Sequence, residues 1–63
     1  MEINLFVPYE RRHEIDSLAA ESFEIIHTSK DRSRERRFYI IKTTEEEYVA
    51  LSLKYGRENV WKR

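Results

Sequence analysis

Two histidines are the first residues to weigh as chemistry, because imidazole titrates near neutral pH and binds metals. His13 lies in Arg12-His13-Glu14-Ile15-Asp16, where only Asp16 stands three residues away, the spacing that puts two side chains on one helix face. One imidazole and one carboxylate fall short of a metal site, and the segment reads as an exposed helix surface. His27 is followed by Thr28 and Ser29, but no carboxylate in the sequence is placed to orient it for nucleophilic catalysis. Glu45-Glu46-Glu47 is acidic, yet adjacent helix residues point in different directions, so the run suits the start of a helix better than an acid/base pair. The single glycine excludes glycine-rich phosphate loops, and the absence of cysteine removes thiolate ligands and disulfides. The expectation is a protein that is not an enzyme, with no catalytic residue, no metal and no cofactor.

The other concentration of reactive side chains is basic. Ser29 to Arg37 holds Lys30, Arg32, Arg34, Arg36 and Arg37 against Asp31 and Glu35, a charge block suited to phosphate or carboxylate partners. The chain as a whole balances 12 basic against 12 acidic residues, so no global field draws it to nucleic acid or an acidic membrane.

These side chains need a scaffold, and 63 residues allow one compact domain spanning 1–63 that hides only roughly 60% of its unfolded surface. Although 38% of the residues are charged, the apolar ones come in runs, the mark of a folding sequence. No apolar stretch approaches the roughly 20 residues that span a bilayer, and the first residues do not resemble a signal peptide. A cytoplasmic, soluble protein with no membrane association is expected.

Ile3, Leu5 and Val7 alternate with Asn4 and Phe6, a strand signature ended by Pro8, which suits the first turn of a helix. From Tyr9 to about Ala20, Ile15, Leu18 and Ala19 form a thin apolar helical stripe. Ser22 to Thr28 reads as a second strand, Ser29 to Ser33 as a hairpin loop, and Arg36 to Lys42 as a third strand. Thr44 with Glu47 matches a capping box opening a second helix, Gly56 fits its end, and Asn59 to Lys62 forms a last strand.

Strand, helix, strand, strand, helix, strand is the ferredoxin-like βαββαβ order, an α+β fold with a four-stranded antiparallel sheet and two helices on one face. The expected inner layer is Ile3, Leu5, Val7, Phe23, Ile25, Tyr39 and Ile41 against Ile15, Leu18, Val49 and Leu53. The opposite parity leaves Phe6, Ile26, Phe38, Ile40 and Trp61 on a face without helices, where contiguous apolar groups mark a binding surface. Three readings of this face stand: it binds a protein or a second copy, most simply as a homodimer; it binds RNA or single-stranded DNA; or the C-terminal segment folds across it. Protein binding, supported by the Lys30 to Arg37 hairpin, is the preferred reading.

Asn4-Leu5-Phe6-Val7 resembles the first-strand signature of the RNA-recognition motif, and Arg36-Arg37-Phe38-Tyr39-Ile40-Ile41 its third-strand signature. The resemblance implies base stacking on Phe6 and Phe38. Arg37 and Tyr39 stand where that family prefers small residues, and Ile40 replaces its second aromatic. The chain's size and lack of cofactor motifs are also similar to those of small accessory proteins of phages and mobile elements that modulate a host protein, an analogy of style.

Overall fold

The computed structural model describes residues 1–63. Four strands, β1 (Glu2–Pro8), β2 (Glu24–Asp31), β3 (Arg36–Lys42) and β4 (Val60–Lys62), and two helices, α1 (Arg12–Ser22) and α2 (Glu45–Tyr55), follow in the order β1, α1, β2, β3, α2, β4. The strands form one antiparallel sheet in the order β2-β3-β1-β4, which is the ferredoxin-like α+β fold. No helix is long and apolar enough to cross a membrane.

Strand alternation builds the core. Ile3, Leu5 and Val7 of β1 pair with Ile41, Tyr39 and Arg37 of β3, and the first three of these six positions together with Tyr39 and Ile41 are wholly buried on the helix side. Ile15 of α1 joins them, while Leu18, Ala19, Ile25 and Tyr48 pack around the margin. Phe23, just past α1, is buried as expected, although it precedes the strand rather than lying within it.

Helix α2 departs from the expected register. Its buried residues are Leu51, Ser52 and Tyr55, with Tyr48 packed beside them, whereas Val49 is 48% and Leu53 80% exposed. Tyr48, Leu51, Ser52 and Tyr55 follow the i, i+3, i+4, i+7 spacing of one helix face, and Val49 and Leu53 lie on its flank. The stripe went to Tyr55 because its hydroxyl finds a partner on α1: it donates to Glu14 Oε1 at 2.8 Å, so a large ring can be buried with its polar end satisfied.

The caps follow the sequence. Thr44 Oγ1 accepts from the Glu47 backbone N–H at 3.2 Å, and Gly56 takes φ +94° while donating its N–H to Ser52 O. A 3₁₀ turn at Tyr9–Arg11 precedes α1, which runs on to Ser22, and another at Arg57–Asn59 delays the last strand to Val60.

The β2–β3 connection is tighter than expected. Ser29, Lys30 and Asp31 belong to β2, paired with Phe38, Arg37 and Arg36, and the turn is reduced to a 3₁₀ segment at Arg32–Arg34 closed by Glu35. Glu35 holds the left-handed conformation (φ 50°, ψ 47°) that returns the chain into β3. A β-bulge interrupts β2: Ile25 pairs with Ile41 and His27 with Ile40, leaving Ile26 as the extra residue.

Candidate binding face of the sheet

The sheet face away from the helices is read from the register. On the two central strands the pairs Glu2–Lys42, Asn4–Ile40, Phe6–Phe38 and Pro8–Arg36 alternate with the buried pairs and so point outward. β4 adds Trp61 beside Asn4, and β2 adds His27, Ser29 and Asp31 beside Ile40, Phe38 and Arg36.

These positions assemble a row of rings across all four strands. Phe6 and Phe38 have centroids 5.0 Å apart, Phe6 and Trp61 5.5 Å, and His27 and Phe38 6.3 Å, all tilted. Such spacings are those of favourable aromatic pairs. Phe6, Phe38 and Ile40 are half-buried by their neighbours, and Trp61 is 40% exposed at the edge.

Arg36 completes the row. Its guanidinium carbon stands 3.6 Å from the Phe6 centroid, and its Nε donates to Asp31 Oδ2 at 3.0 Å. Asp31 also accepts from the Ser33 hydroxyl at 2.7 Å; that bond, and then the Arg36 guanidinium, hold its carboxyl below the usual carboxylate range. The cation is therefore fixed over a ring by a carboxylate that stays ionised at neutral pH.

Phe6, Phe38, Ile40 and Trp61 thus share the open face, as the alternation predicts. Ile26 does not take its place in the row: at the bulge it is 46% exposed, and His27 occupies the position beside Ile40. Period-two counting cannot see an inserted residue, so every β2 position after Ile26 changes sides relative to the simple pattern.

The basic hairpin is not one surface. Arg36 lies on the open face, but Lys30 and Arg37 pair with each other at a position of opposite parity, on the helix side. There Lys30 Nζ lies 4.1 Å from the Tyr9 ring centroid, which Arg12 also approaches at 4.0 Å, and Arg37 Nε donates to Thr28 Oγ1 at 2.8 Å. Arg32 and Arg34 occupy the turn, Arg34 sharing a shallow cleft with Phe6, Val7, Pro8, Glu35, Arg36 and Asn59. A strand that continues to Asp31 sends alternate charges to opposite faces, which a loop would not.

Sequence reasoning missed Asp31 and His27 as members of the face. The alternation His27, Ser29, Asp31 was masked by the bulge at Ile26, which reverses its side, and for Asp31 also by the expected strand end at Thr28. The C-terminal segment does not cover the face either: β4 runs along the edge of β1, with the Arg63 N–H donating to Glu2 O at 3.1 Å.

No group of three or more histidine, aspartate or glutamate side chains is arranged to hold a metal ion, and His13 is exposed on α1. No family model, curated protein or solved structure matches the chain.

Proposed function

We propose that this protein is a non-enzymatic protein-binding module that acts through the open sheet face. The observation that carries this reading is Arg36, pinned by Asp31 and stacked on Phe6 within the aromatic row. Aromatic rings and arginine are the side chains enriched where binding energy concentrates in protein interfaces, and pre-ordering them lowers the entropy lost on association. The test is affinity capture from the source cells after nuclease treatment, with the wild-type chain beside Phe38→Glu. A protein retained by the wild type and lost with the variant, a second copy of this chain included, supports the reading; no Phe38-dependent association of either kind removes it.

Single-stranded RNA is the second reading, favoured by one observation: Trp61, Phe6 and Phe38 present successive rings across β4, β1 and β3, the kind of platform on which bases stack. Against it, Arg36 already occupies one face of Phe6, its charge is matched by Asp31, and Lys30 and Arg37 point to the far side of the sheet. Quenching of Trp61 fluorescence by short RNA, weakening steeply with salt, would favour this reading over the first.

A further inference from the structure

We infer that the partner seated on the open face is a second copy of this chain, related by a two-fold axis running parallel to β1 and β3 and midway between them. This rests on the binding-module reading and names its partner.

The register supplies the argument. Four outward pairs join the central strands: Glu2–Lys42, Asn4–Ile40, Phe6–Phe38 and Pro8–Arg36. A two-fold axis between the strands lays each β1 over the partner's β3, so that a residue meets its own cross-strand neighbour in the other copy. Phe38 then faces the partner's Phe6, Ile40 the partner's Asn4, and Lys42 the partner's Glu2. Arg36 faces the partner's Pro8, and His27 on the β2 edge faces the partner's Trp61 on the β4 edge. At the Glu2–Lys42 end the four charges form a square in which every neighbour is of opposite sign.

The other face-to-face arrangement, with the axis across the strands, is charge-mismatched. It sets Lys42 opposite the partner's Arg36, and Glu24, which pairs with Lys42 at the β2 edge, opposite the partner's Asp31. Like charges in apposition disfavour a pairing, so the register selects between the two axes.

Size and charge permit the contact. Four strands about 4.8 Å apart and about six residues long give a face of roughly 19 by 20 Å. Buried on both copies, such a face covers roughly 760 Å² in projection, the size of a weak, reversible contact rather than an obligate interface. The formal net charge of zero imposes no long-range repulsion between copies.

The test uses light scattering after size exclusion, together with the emission of the single tryptophan, Trp61, from micromolar to millimolar protein. The expected result is a species of about twice the 7.8 kDa monomer, with Trp61 emission shifting as it forms. Glu2→Lys and Lys42→Glu should each weaken dimerisation at least about tenfold, and the double swap, which regenerates the charge square, should restore it. Circular dichroism of each variant separates a lost contact from a lost fold. A mass of 7.8 kDa throughout the range overturns the proposal, as does a dimer indifferent to the single changes or unrestored by the swap. A chain that stays monomeric yet forms a Phe38-dependent complex with a different protein overturns the pairing and leaves the binding-module reading standing.

Discussion

The guanidinium of Arg36 lies 3.6 Å above the Phe6 ring while its Nε bonds Asp31, so β3, β1 and the end of β2 are tied together on the open face by one side chain. A free arginine would have to be ordered before a partner could use it; this one is ordered in advance. Replacing it tests whether the arrangement serves binding rather than folding. Arg36→Ala should cost only about 0.5–1.5 kcal/mol in urea unfolding, the scale of a partly exposed ion pair and cation–π contact. The same change should weaken the open-face complex at least about tenfold, the loss expected of an interface anchor. Arg36→Lys should recover little, because an ammonium lacks the planar fork that stacks on a ring while bonding a carboxylate.

Leu51 and Leu53 put a number on the register of α2. Leu51 is 2% exposed and belongs to the core; Leu53, two residues on, is 80% exposed. Leu51→Ala should destabilise by about 2–5 kcal/mol and Leu53→Ala by no more than about 0.5 kcal/mol, both read from denaturant midpoints. Equal losses would mean that the helix is rotated from the position described.

The same two leucines show what the sequence could disclose. The strands were legible because a period of two leaves little choice of face, and Ile3, Leu5 and Val7 are all wholly buried. The helix face was not, because Val49, Leu51 and Leu53 are equally apolar and only Tyr48 and Tyr55 separate the competing stripes. A tyrosine joins a core when its hydroxyl has a partner, and that partner, Glu14, is on the other helix, 41 residues away in sequence. The aromatic row was readable for Phe6, Phe38 and Trp61. His27 and Asp31 were hidden by the bulge at Ile26, which nothing local to that residue announces.

Glu35 closes the β2–β3 turn at φ 50°, a conformation that costs a residue with a Cβ roughly 1–2 kcal/mol relative to glycine. Its backbone carbonyl accepts the Tyr9 N–H at 2.9 Å, a bond that a side-chain change leaves intact. Glu35→Gly should therefore stabilise the domain, by up to about 1 kcal/mol after the greater entropy of glycine in the unfolded chain is counted. For a domain of this size that raises the melting temperature by up to about 4–8 °C. Glu35→Val should lower it, since a β-branched side chain tolerates the left-handed region least.

The contact between α1 and α2 sets the response to pH. Glu14 Oε1 accepts from Arg11 Nη2 at 3.0 Å and from the Tyr55 hydroxyl at 2.8 Å, with Lys54 Nζ at 3.4 Å. Arg11 first and Tyr55 second hold the Glu14 carboxyl down at about 2, against an ordinary value of 4.5. A group depressed in the folded state contributes fully above its unfolded value and loses that contribution as pH falls through its folded value. Stability should accordingly decline as pH falls from 4.5 toward 2, and Glu14→Gln should flatten that limb of the curve. Burial, and then Glu14, raise the Tyr55 hydroxyl, while burial, followed by Asp16, pushes Tyr39 up to about 12 from 10.0. Groups raised in the folded state act in the opposite sense: their contribution is complete below pH 10 and is lost as pH climbs through 12. Chemical denaturation across the full pH range should thus trace a plateau between these two limbs. Tyr39→Phe should remove part of the alkaline limb and leave the acid limb unchanged, because Tyr39 bonds Arg12 O and Asp16 and makes no hydrogen bond to Glu14.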